Sequence, residues 1–109
     1  MKSIFALLLL TGLSAQAQQI NKANKAERAY LCAGVEKLLE ADHADAALDK
    51  KDCLKKAKMT SSLLSEGLLV VNGTVKIKNP SGYEMTAQCS FAHDGQVQKG
   101  KIIQEVLCN

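Results

Sequence analysis

Several side-chain groupings in this sequence are of types that do chemistry. His43 stands among Asp42, Asp45 and Asp49. An Asp–His pair can serve as a general base, and an imidazole with two carboxylates is a weak metal set. His93 and Asp94 form a second such pair. Ser61, Ser62, Ser65, Ser81 and Ser90 supply hydroxyls, and none lies in the G-x-S-x-G context that exposes a hydrolase serine on a strained turn. Each grouping also has a plainer reading. His43 falls in an interhelical turn whose aspartates serve as helix caps. His93-Asp94 falls at a hairpin tip, which seldom supplies the shaped, partly dry cleft that catalysis needs. The expectation is no catalytic residue, no metal and no cofactor.

The cysteines carry more information. Cys32, Cys53, Cys89 and Cys108 make an even count in a short chain. None is spaced from another cysteine or a histidine as zinc ligands are. Four cysteines in a small exported protein read as two disulfides.

The export signal is the strongest motif. Lys2 is followed by the apolar run Ile4–Leu10, extended by Thr11, Gly12 and Leu13, and then by Ser14-Ala15-Gln16-Ala17. The small residues Ala15 and Ala17 make the A-x-A pattern that signal peptidase accepts. The apolar run is well short of the roughly 20 residues that span a bilayer. The reading is a signal peptide over 1–17 and one small domain over 18–109, periplasmic or secreted, of bacterial type and without a membrane span. After cleavage the chain carries 13 basic and 11 acidic side chains, net +2. That is too little to argue for nucleic acid.

The lysines are grouped. Lys50, Lys51, Lys55, Lys56 and Lys58 form one set, and Lys76, Lys78, Lys99 and Lys101 another. Alternation places Lys76 and Lys78 with Thr74, Thr86, Gln88 and Ser90 on the wet face of a sheet, and Lys99 and Lys101 are expected to join them. The candidate binding residues are therefore Lys76, Lys78, Lys99, Lys101, Thr86 and Gln88. The plainer reading is a solvated face kept soluble by lysine.

These residues need elements to hold them. Gln18–Asn24 reads as a loose polar lead-in. Leu31, Cys32, Val35, Leu38 and Leu39 recur at helical spacing within about 22–41. Ala46, Ala47, Cys53, Leu54, Ala57 and Leu64 do the same and suggest a second helix, interrupted near Thr60-Ser61-Ser62 and capped by Gly67. The period then changes to two. Val71, Gly73, Val75 and Ile77, and later Tyr83, Met85, Ala87, Cys89 and Phe91, alternate with polar residues. A three-residue loop at Pro80-Ser81-Gly82 pairs Val71 with Phe91, Gly73 with Cys89, Val75 with Ala87 and Ile77 with Met85. A second such loop at His93-Asp94-Gly95 leads to a third strand, whose change of parity calls for a bulge at Lys99-Gly100.

The expected fold class is α+β, with two N-terminal helices packed on a three-stranded antiparallel meander and two disulfides. On that register Cys108 lies near the Pro80 turn, some 20–27 Å from Cys89 at about 3.3 Å per residue. A disulfide needs α-carbons within about 7 Å. The register thus favours Cys53–Cys89 with Cys32–Cys108, and leaves open Cys32–Cys53 with Cys89–Cys108 if the tail curls back. The expected function is an exported, non-enzymatic binding domain recognising a protein, as an inhibitor, an immunity-type factor or an envelope accessory factor. The alternatives are a small secreted hydrolase and a structural envelope-surface protein that binds anionic polymer.

Overall fold

The computed structural model describes residues 19–42, 45–64, 67–95, 97 and 101–109. The signal segment 1–17, His43, Lys99 and the bulge expected at Lys99-Gly100 lie outside the described residues. The elements in chain order are β1 (Gln19–Lys22), α1 (Lys25–Ala41), β2 (Ala47–Leu48), α2 (Lys50–Lys55), β3 (Met59–Leu63), β4 (Leu69–Lys78), β5 (Glu84–His93) and β6 (Ile102–Cys108). All six strands join one antiparallel sheet in the order β1-β3-β4-β5-β6, with β2 also pairing β4. The expected pair of helices on a three-stranded meander is therefore wrong. One long helix and one short helix accompany a sheet with six strands where three were expected.

The error lies in the first half of the chain. The segment read as a second helix contains β2, the six-residue α2 and β3. Helical spacing of alanine and leucine is cheap to satisfy by chance, and Thr60-Ser61-Ser62 is a weak helix former. Those residues instead fill the gap between β1 and β4. They pair Thr60 with Asn72, Ser61 with Val71 and Ser62 with Val70 on one side, and with Lys22, Asn21 and Ile20 on the other. The polar lead-in becomes the end strand β1 for the same reason, since its ladder partner lies about forty residues away.

Helix α1 starts where its chemistry says it should. The Asn24 side chain accepts from the Glu27 N–H at 2.8 Å, and the Glu27 carboxylate accepts from the Asn24 N–H at 2.9 Å. This capping box satisfies two amides that otherwise have no helical partner. Glu27, Leu31 and Val35 recur every fourth residue and, with Cys32, form the buried stripe of the helix. The stripe packs on Val71, Val75, Cys89, Phe91 and Val106. Gly34 lets helix and β6 approach closely. A Cβ there would meet Val106, with the Val106 Cβ only 2.6 Å away. Gly34→Ala should therefore destabilise by about 1–3 kcal/mol through overpacking, outweighing the roughly 1 kcal/mol that alanine gains in helix propensity. Urea titration of the two proteins checks the sign.

The central hairpin has the register expected from alternation. Val71 faces Phe91, Gly73 faces Cys89, Val75 faces Ala87 and Ile77 faces Met85. Gly82 closes the loop at φ 87. Asn79 organises that loop, its side-chain oxygen accepting from the Ser81 and Tyr83 amides and from the Ser81 hydroxyl.

The next connection differs from expectation. His93 pairs with Ile102, so residues 94–101 separate the strands instead of three. Gly95 has the positive φ of 98, but as part of a wider loop. The register then slips twice. Along β5 from His93 to Ala92, β6 advances from Ile102 to Gln104, and from Ala92 to Ser90 it advances from Gln104 to Leu107. Each slip is a bulge that places an extra residue in β6. Together they bring Cys108 directly opposite Cys89.

The second of the two disulfides follows from this register. The two are Cys32–Cys53 and Cys89–Cys108, the neighbour pairing rather than the favoured helix-to-sheet pairing. The objection from distance assumed a tight turn, and the real Cα–Cα separation of Cys89 and Cys108 is 4.1 Å. Gln88 and Asn109 exchange both backbone hydrogen bonds. Cys89 and Cys108 are thus a non-hydrogen-bonded pair, the kind in which opposite side chains lie closest.

Candidate functional site

With α1 across one face, the sheet has a second face that no helix among the described residues covers. Cross-strand partners share a face, so the register lays out its rows. One row runs Lys22, Thr60, Asn72, Ser90, Leu107, and the next pairs Thr74 with Gln88. Lys76 pairs with Thr86, and Lys78 with Glu84. Lys22, Thr60, Asn72, Lys76, Lys78, Glu84, Thr86 and Gln88 are all exposed. Four of the six candidate residues, Lys76, Lys78, Thr86 and Gln88, are therefore brought together on one open surface. Lys101 is exposed and precedes β6, where its carbonyl accepts from the Asp94 amide. Neither Lys76 nor Lys78 forms an ion pair among the described residues. Lys22 belongs to the same face, and reading the lead-in as loose concealed it.

Beside the lysines the face dips into a shallow concavity of ≈ 480 Å³. Asn72, Gln88, Ser90, Gln104 and Asn109 supply amides and a hydroxyl to its wall, and Leu107 an apolar edge. A surface of this kind offers uncharged donors and acceptors next to positive charge.

Of the other lysine set, Lys50, Lys51, Lys55 and Lys56 are exposed on or just after α2, on the helical side. Lys58 is exposed just before β3, where its carbonyl accepts from the Thr74 amide, so it continues the β3–β4 register onto the row of Thr74 and Gln88. Lys50 lies 3.7 Å from Glu36. The Arg28 guanidinium donates to the carbonyls of Cys53 and Leu54 and so satisfies the C-terminal end of α2. Asp49, one of the carboxylates around His43, is the N-cap of α2 and accepts from the Asp52 amide.

One polar constellation was missed by sequence reasoning. Glu27, Ser61 and His93 are buried, at 2%, 6% and 2% exposure. The Ser61 hydroxyl donates to Glu27 Oε2 at 2.8 Å, and His93 Nε2 lies 2.7 Å from the same oxygen. The Gly95 amide donates to His93 Nδ1 at 2.9 Å. An Nδ1 that accepts carries no proton, so Nε2 holds it and donates to Glu27. Residue types alone suggest a hydrolytic triad, but the wiring is different. In a triad the imidazole takes the serine proton. Here serine and histidine both donate to one carboxylate, and neither imidazole nitrogen has a lone pair directed at Ser61. The cluster is a rivet that joins α1, β3, β5 and the loop at Gly95. Two signals pointed to it: Glu27 lies four residues before Leu31 on the apolar stripe, and His93 has the dry-face parity of Phe91.

Phe91 lies between two rings, with Tyr30 at 4.7 Å and His93 at 5.5 Å between centroids. The Tyr30 hydroxyl donates to Glu105 at 2.6 Å. Burial, then that hydrogen bond and the carboxylate's charge, push the Tyr30 phenol up to about 12. A phenol whose folded pKa is raised contributes stability below its unfolded value of about 10, and that stability is lost as pH rises through 12. In a Tyr83→Phe variant, absorbance titration should place the remaining tyrosine's ionisation near 12. Ionisation near 10 would contradict the Tyr30–Glu105 contact.

No family model, curated protein or solved structure matches this chain. No helix among the described residues is long and apolar enough to cross a membrane. The two disulfides are compatible with a periplasmic or extracellular protein.

Proposed function

We propose that this is an exported binding module whose uncovered sheet face recognises an acidic surface of a protein partner. The observation that carries the reading is the placement of Lys76 and Lys78. Both are exposed on a face that contributes nothing to the helix-packed core, beside Thr86 and Gln88. Lysines there steer encounter with negative charge, and the flanking hydroxyl and amide groups supply short-range hydrogen bonds. Export is part of the proposal and rests on the signal pattern at 1–17. The hydrolase alternative loses its most suggestive residues, because Ser61, Glu27 and His93 are buried and wired as a structural rivet.

The test uses immobilised poly-glutamate as an acidic polypeptide probe, read at increasing salt. The unmodified protein should bind at low salt and release as salt rises, since screening acts over about 10 Å at 0.1 M. Lys76→Glu/Lys78→Glu should lower the association rate about tenfold or more. Lys55→Glu/Lys56→Glu changes net charge equally and should bind like the unmodified protein. Equal loss in both variants would mean that only net charge matters, and loss in the helix variant alone would assign the site to α2.

A further inference from the structure

The two disulfides differ in what surrounds them. Cys32 and Cys53 are 1% and 0% exposed, enclosed between α1 and α2. Cys89 is 2% exposed, but its partner Cys108 is exposed, at the end of β6. Among the described residues β6 is an end strand of the sheet, paired only with β5. As a non-hydrogen-bonded pair with Cys89, Cys108 directs its own backbone groups to that outer edge and not towards β5. Cys108 is therefore the one exposed half-cystine of the four, while Cys89, Cys32 and Cys53 are all buried.

We infer that Cys89–Cys108 is a thiol-exchange site, attacked at Cys108 by a low-molecular-weight thiol, whereas Cys32–Cys53 is a sealed structural bridge. Exchange rate depends on which sulfur is attacked and on access to it. An external thiolate forms a bond to Cys108 Sγ as the Sγ–Sγ bond breaks. The electron pair leaves on Cys89 Sγ, which takes a proton from water. A second thiol attacks the outer sulfur of the mixed disulfide, leaving a Cys108 thiol and the oxidised external thiol. Opening the bridge unties the end of β6, which then relies on its ladder with β5, the Tyr30–Glu105 bond and the Val106 contact under α1. Because the ladder sets Cys89 and Cys108 opposite each other, the opened pair stays poised to close again.

The experiment incubates the native protein with reduced glutathione, quenches with acid, alkylates free thiols and maps peptides over time. The expected result is a glutathione adduct on Cys108 with a free thiol on Cys89, formed at least about tenfold faster than any modification of Cys32 or Cys53. A Cys89→Ala/Cys108→Ala variant should keep Cys32–Cys53 closed under the same conditions. Opening of both bridges at one rate, an adduct first on Cys32, Cys53 or Cys89, or no native reaction where urea-unfolded protein reacts fully would each overturn the inference.

Discussion

Glu27→Ala is expected to cost this protein about 3–5 kcal/mol, among the largest losses available to a single substitution outside the disulfides. The carboxylate accepts from the Asn24 amide, the Ser61 hydroxyl and the His93 imidazole. Removing it leaves the two buried side-chain donors without a partner and opens a cavity at the head of the helix stripe. The capping box is lost as well, for about 1 kcal/mol of the total. At about 4–8 °C per kcal/mol for a domain of this size, the melting temperature should fall by roughly 12 °C or more. A second variant separates the causes. Glu27→Leu/Ser61→Ala/His93→Phe removes every member of the cluster and fills the space with apolar groups. It should recover a large part of the loss, because orphaned partners rather than the absent charge dominate. If the triple variant is no better than Glu27→Ala, the rivet is not the reason Glu27 matters.

Cys32→Ala/Cys53→Ala should cost about 3 kcal/mol or more, the loop-closure value for a sequence separation of 21. The Cys89–Cys108 bridge closes a similar stretch, with a separation of 19. Chain entropy alone would therefore make the two removals equal. Burial breaks the tie. Cys32 and Cys53 are core residues on both sides of the bond, so their truncation removes packed sulfur from the interior. α2 has six residues, too few to be stable alone. Its attachment depends on this bridge and on Arg28. Denaturant titration should rank the Cys32/Cys53 double variant below the Cys89/Cys108 one, and the reverse order would show that the clamp on β6 matters more.

The parts legible in the sequence were those whose partners lie nearby. The α1 stripe is local, and so is the β4–β5 hairpin, whose loop length and alternation leave one workable register. Thr60-Ser61-Ser62 had no local partner and looked like a helix break. Only pairing with β1 and β4 makes it a strand. β6 was misplaced because Gly95 does take a positive φ, yet a glycine at a turn does not say how many residues the turn contains. That assumption displaced the third strand, and with the two bulges of β6 also unforeseen it misplaced the cysteine pairing. For the site, alternation correctly joined Lys76, Lys78, Thr86 and Gln88, since all four lie on the hairpin. Lys22 was invisible because its strand was. The Glu27–Ser61–His93 cluster draws on three elements far apart in sequence, and no spacing rule connects them.

The proposed acidic partner meets the uncovered sheet face and not the helix lysines. The most direct measurement is a titration of the isotope-labelled, disulfide-intact protein with a soluble poly-glutamate peptide, followed by amide and lysine side-chain chemical shifts. Perturbations should centre on Lys76, Lys78, Thr86 and Gln88, extend to Lys22, and collapse as salt is raised. Perturbations centred on Lys50, Lys51, Lys55 and Lys56, with the sheet face unmoved, would contradict this placement.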